Sequence, residues 1–133
     1  MLIRAATILS ALLLCAAVLP GQNATRAGNF HVEHPTLLNL GFEWAIQGDA
    51  NRNATVAVQY RAAGEAAWRE ALPLARIGGE RVFREREHLD YVVPEGFAGS
   101  ILNLKPGTEY ECRFVMSDPD GVSGQAAHTV MVK

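Results

Sequence analysis

Leu104-Lys105-Pro106-Gly107-Thr108-Glu109-Tyr110-Glu111-Cys112-Arg113-Phe114 sets a proline-glycine turn directly before a segment that alternates apolar and polar residues. Proline followed by glycine is turn chemistry, because one presets φ and the other accepts positive φ. Period-two alternation marks a strand with one buried and one wet face. Tyr110, Cys112, Phe114 and Met116 therefore share an inward face, while Glu111 and Arg113 point to water. The stretch predicts a corner where the chain crosses between two packed sheets.

The same alternation recurs upstream. Leu38, Leu40, Phe42, Trp44 and Ile46 fall on one face of a strand, with Asn39, Glu43 and Gln47 among the residues opposite. Phe30-His31-Val32-Glu33 reads as a first strand, stopped by Pro35. Val56, Val58 and Tyr60 alternate within 55–61, Trp68 to Leu72 forms a short strand, and Ser100 to Leu104 leads into the corner. Ala127 to Val132 is the last strand. With turn residues between these segments and no helical period, the expected fold is an all-β, seven-stranded antiparallel sandwich. Two sheets packed face to face let each alternating strand bury one side.

The first residues stand apart. Met1-Leu2-Ile3-Arg4 is a short basic start, Ala5 to Val18 carries no charge, and Leu19 to Ala24 supplies a breaker and small residues. That is the layout of a cleaved secretory signal over 1–24, followed by a short linker at 25–29 and one domain over 30–133. The apolar run falls short of the roughly 20 residues a membrane span needs. The competing readings are an uncleaved N-terminal anchor and a lipid-modified Cys15, the latter disfavoured by the bulk of Leu14. A secreted or periplasmic protein with no membrane span after cleavage is the expectation.

Removal of the signal leaves Cys112 as the sole thiol, so no internal disulfide forms and Cys112 reads as a small buried hydrophobe. About 110 residues remain, one domain's worth. The formal net charge of −2 gives no electrostatic case for nucleic acid. A monomer is expected.

At this point the residues resemble a known family. Leu104-x-Pro106-Gly107-Thr108-x-Tyr110, with Trp44 on an early strand and Val58-x-Tyr60-Arg61 on a middle one, is similar to a fibronectin type III domain over about Phe30 to Lys133. The resemblance implies that Trp44 is the central core aromatic. It also implies that the Tyr110 hydroxyl bonds a backbone group in the Leu104–Gly107 connection. Tyr60, Leu104, Pro106, Gly107 and Phe114 complete the expected structural set. The Arg-Gly-Asp triplet that some such domains use for adhesion is absent.

The chain departs from that family over about 73–97, where the connection is elongated. Gly78-Gly79 is expected to centre a hairpin, and the mixed charges of Arg81 to Asp90 suit an elaborated sheet edge. A contact surface built from Phe83, Arg84 and Tyr91 is the functional alternative.

Catalytic templates are lacking: the sequence has no Gly-rich phosphate loop, no HExxH and no Gly-x-Ser-x-Gly. His31, His34, His88 and His128 are scattered. Gly48 to Asn53 and Asp118-Pro119-Asp120-Gly121 carry oxygen ligands of the kind calcium takes, without the spacing of an EF-hand, and read better as tight turns. Asn53-Ala54-Thr55 matches a glycosylation acceptor.

The expectation is thus a non-catalytic secreted module without cofactor. It would act as spacer, docking or binding domain for another protein domain or a polysaccharide. By the resemblance, such modules accompany polysaccharide-degrading enzymes and right-handed β-helix domains. Pro35 to Tyr60 is also similar to the sandwich that precedes the catalytic domain of purple acid phosphatases, whose Asp/His/Asn metal motifs are not in this sequence. The alternative is therefore an N-terminal accessory segment of a truncated hydrolase.

Overall fold

A computed structural model describes residues 23–133, so the expected signal segment lies almost wholly outside the described residues. Eleven strands follow in order: β1 (Thr25–Val32), β2 (Leu40–Gly48), β3 (Thr55–Ala62), β4 (Arg69–Glu70), β5 (Ala75–Ile77), β6 (Arg81–Arg84), β7 (Leu89–Val92), β8 (Gly96–Ile101), β9 (Tyr110–Ser117), β10 (Val122–Ser123) and β11 (Ala127–Val132). They make a five-stranded sheet, β10-β1-β2-β8-β5, a four-stranded sheet, β11-β9-β3-β4, and a separate β6-β7 ribbon. The all-β expectation holds; the count of seven does not. Pairing is antiparallel except where β1 meets β10 in parallel.

The two larger sheets bury the alternating faces of β2, β3 and β9 against each other. Trp44, Phe42, Phe97 and Phe114 are fully buried at the centre, flanked by Leu40, Ile46, Val56, Val58, Ile101 and Met116. Leu38 is exposed, because Thr36 and Asn39 close a turn that ends before β2 begins. Tyr60 is half-buried at the margin, its ring centroid 6.1 Å from that of Tyr110. The Pro106-Gly107 corner has Gly107 at φ 66°. Across it the Tyr110 hydroxyl accepts the Lys105 N–H at 3.0 Å, the bond expected there, while Leu104 tucks into the core.

Three boundaries differ from expectation, each for a physical reason. Residues 25–29 are not a linker: Thr25 is buried, pairs with Gly48 and Val122, and donates its hydroxyl to Asp118. A register shift between Ala27 and Phe30 interrupts the alternation there, and a Cβ on Gly28 would sit 2.9 Å from the Ala45 carbonyl oxygen. β8 starts at Gly96 rather than Ser100, since Gly96, Ala98 and Gly99 supply little hydrophobic signal. Within 73–97, Ala75–Ile77 is an integral strand paired with β8. Only the segment beyond Ile77 leaves the sandwich.

The two polar loops meet at one pole. Buried Asp49 accepts N–H bonds from Asn53 at 2.9 Å and Ala54 at 3.1 Å, and pairs with Arg76 Nε at 2.6 Å. Asp118 accepts the Asp120 N–H at 2.7 Å, and Asp120 accepts from the side-chain amides of Asn51 at 2.7 Å and Asn53 at 3.1 Å. Those carboxylates are engaged by N–H donors, the arrangement tight turns use. Among the described residues, no three His, Cys, Asp or Glu side chains converge as a metal site would require.

Candidate functional site

The β6-β7 ribbon is the part of the molecule the core does not use. Gly78 and Gly79, at φ 117° and 85°, do not centre a hairpin; they swing the chain out of β5. A Cβ on Gly78 would come within 2.5 Å of the Glu95 Cα, so the returning strand passes too close for any side chain. The turn itself lies over Glu85 to His88, with His88 at φ 52° and its N–H on the Glu85 carbonyl. Arg81 grips Asp90 through two bonds of 2.8 Å. The hydrogen bonds from Arg81 hold the Asp90 carboxyl below its ordinary pKa. The ribbon is therefore a built feature rather than an elaborated edge of the larger sheets.

Its register divides the expected contact residues. Val82 opposes Tyr91 and Arg84 opposes Leu89, whereas Arg81 opposes Val92 and Phe83 opposes Asp90. Residues directly opposite share a face. Arg84 and Tyr91 thus lie together with Leu89, and Phe83 lies on the reverse side with Val92 and beneath Arg81, whose guanidinium sits 5.7 Å from its ring centroid. The single surface of Phe83, Arg84 and Tyr91 is corrected to two faces. Each carries an exposed aromatic beside charged residues: Phe83 is 63% exposed and Tyr91 49%.

At the ribbon's base Tyr91, Ile77 and Pro94 wall a groove of about 290 Å³ over Glu43, Ala45 and Gly96 of the five-stranded sheet. Its position is fixed by a charge lock. Arg76 reaches Asp49 on one side and Glu95 at 2.5 Å on the other, while Arg52 donates to the Gly78 carbonyl at 3.1 Å. Burial works against the Arg76 cation, but its pairing with Asp49 and Glu95 outweighs that and leaves its pKa raised.

A second surface was not legible as a site. On the outer face of the four-stranded sheet the Trp68 ring carries two guanidiniums, Arg61 and Arg113, each with its carbon 4.4 Å from the ring centroid. Arg61 also pairs with Glu111 at 2.7 Å, and Arg113 bonds the Gln59 side-chain oxygen. The signal available was modest: Arg61 and Arg113 sit at outward positions of adjoining strands. What they share is set by register, with Gln59 opposite Arg113 and Arg61 opposite Glu111.

Cys112 and His128 have structural surroundings. Cys112 is buried, and burial with the nearby Glu111 charge pushes its thiol up to about 12, where no thiolate forms at neutral pH. His128 stacks on Phe30 with centroids 4.5 Å apart and meets Trp44 edge-on at 4.7 Å. Among the described residues no helix is long and apolar enough to cross a membrane. The chain matches no protein-family model and no curated protein, so the sandwich and its ribbon stand on their own geometry.

Proposed function

We propose that this protein is a secreted, non-catalytic module of fibronectin type III type that docks a partner domain through its β6-β7 ribbon. Support for the domain type comes from the strand order, β1-β2-β8-β5 against β11-β9-β3-β4, which follows the two-layer arrangement of immunoglobulin-like folds. The Lys105-to-Tyr110 bond and the central Trp44 support it too. One observation carries the docking role: Phe83, Leu89, Tyr91 and Val92 are all exposed on an element outside the sandwich. Exposed aromatic residues, of which Tyr91 walls a preformed groove, are the composition of interface anchors.

The test is photo-crosslinking in the secreting cell, with a photoreactive residue at position 83 or 91 and a control at Thr108 on the opposite pole. The expected result is one discrete adduct at 83 and 91 and none at 108. Equal capture at 108 would overturn the docking role. Turnover by the purified chain of an ester, phosphate or glycoside would overturn the non-catalytic assignment.

A second reading is favoured by the other pole, where Leu37, Leu38 and Leu102 are exposed around the corner that Lys133 also lines. In it the module leads a hydrolase, either a polysaccharide-degrading β-helix enzyme or a metallophosphatase. Reading the coding DNA past Lys133 decides: a frame running into hydrolase motifs favours it, and an immediate stop codon rules it out.

A further inference from the structure

Strand β11 is an edge built unlike the others. Edge strands are normally blunted by shortness, charge, proline or bulges. β4 is two residues, both charged, β10 is two residues, β1 beyond the two residues that β10 covers is broken by its bulge between Ala27 and Phe30, and β5 is three residues that lead at once into the ribbon. β11 runs for six residues, Ala127-His128-Thr129-Val130-Met131-Val132, with no Lys, Arg, Asp, Glu or Pro and an unbroken register against β9.

The direction of its backbone groups follows from the ladder. The Met116 N–H bonds the Ala126 carbonyl at 2.8 Å, and Ala127 stands opposite Val115. Bonded and non-bonded pairs alternate in an antiparallel ladder. His128, Val130 and Val132 therefore bond to β9, and Ala127, Thr129 and Met131 turn their N–H and C=O groups away from the sheet. Among the described residues no strand lies beyond β11 to receive them.

We propose that β11 pairs antiparallel with β11 of a second copy about a two-fold axis at Thr129, joining two four-stranded sheets into one of eight. In that register Thr129 faces its own mate and Ala127 faces Met131. All three outward residues of each copy then become hydrogen-bonded pairs. The side chains agree with this register. Val115 and Met131 are large apolar residues left 41% and 52% exposed on the outer face. The symmetric pairing puts them in one row, with only the methyl of Ala127 between Val115 and Met131 of the second copy. A slip that centred the axis on Val130 would set Met131 against Thr129 and leave Val115 uncovered. The two Arg113 side chains would stand three strand spacings apart, about 14 Å, beyond the screening length at physiological salt. Because the pairing uses up the edge, it closes at two copies.

The experiment is sedimentation of the signal-free secreted chain from micromolar to millimolar concentration. The mass should double and then stop. Thr129→Pro should raise the dissociation constant at least about tenfold with an unchanged circular dichroism spectrum, since that N–H has no partner within the sheet. Thr129→Cys should form an intermolecular disulfide on oxidation, because the axis sets the two Cα atoms within disulfide reach. A chain still monomeric at millimolar concentration, a dimer indifferent to Thr129→Pro, or growth past two copies would each overturn the proposal.

Discussion

Tyr110 and His128 are both aromatic groups with a polar edge inside the sandwich, and they respond differently to change. The Tyr110 oxygen takes the Lys105 N–H at a corner where the backbone is otherwise exposed. Tyr110→Phe should therefore cost about 1 kcal/mol, the net value of one hydrogen bond, read as a shift in urea midpoint at constant slope. Trp44→Ala should cost about 3–5 kcal/mol, because it empties the centre of the core. His128 packs against Phe30 and Trp44 beside Phe114, with the Gln125 amide 3.3 Å from its Nδ1. Burial pushes its pKa below the ordinary 6.5. The unfolded chain then binds the proton more readily than the folded one, so stability rises with pH across this range. It is full above about 6.5 and declines as the pH drops through that value, until the folded imidazole also protonates. His128→Phe should flatten the stability profile between pH 8 and 5.5, and a wild-type profile already flat there would refute the argument.

At the scale of the element, the ribbon is stabilised locally and the sandwich does not lean on it. The Gly79 N–H bonds the Val93 carbonyl, so the two ends of the ribbon lie side by side. Replacing Glu80–Val93 with a two-residue Asn-Gly turn should leave a cooperative unfolding transition and shift Tm by no more than about 4 °C, equivalent to under 1 kcal/mol. Loss of cooperativity would mean that the ribbon belongs to the core. The same element shows why sequence reading stops where it does. β2, β3 and β9 bury one face only, so alternation locates them and their inward residues. Each face of the ribbon mixes apolar and charged residues, Phe83 and Val92 with Arg81 and Asp90 on one and Tyr91 and Leu89 with Arg84 on the other, and so the ribbon has no period to read. β1 hides behind its bulge, and β8 behind Gly96, Ala98 and Gly99. Trp68 gains its meaning from Arg61 and Arg113, which meet over it only once β3 and β9 pair. Elements with a single buried face are written locally; surfaces assembled from several strands are not.

Across the whole molecule the ion lock at the loop pole couples otherwise separate parts. Asp49 is wholly buried, and its two oxygens serve the Asn53 and Ala54 N–H groups together with Arg76. Arg76 in turn reaches Glu95 at the foot of the ribbon, and the adjoining Asn53 amide bonds Asp120 across the pole. Removing Asp49 leaves Arg76 with Glu95 as its remaining carboxylate and strips the Asn53 and Ala54 N–H groups of their acceptor, a loss of about 1–3 kcal/mol. Asp49→Ala should show a loss in that range, larger than that of Asp49→Asn, which keeps an oxygen for the two backbone donors. Hydrogen exchange should locate the difference. With Asp49→Ala, protection should fall together in 48–54, in 76–79 and in 94–96, since all three are tied through one guanidinium. Exchange confined to the 48–54 loop would show that Arg76 holds the ribbon base through Glu95 alone, and that the pole is two independent structures rather than one.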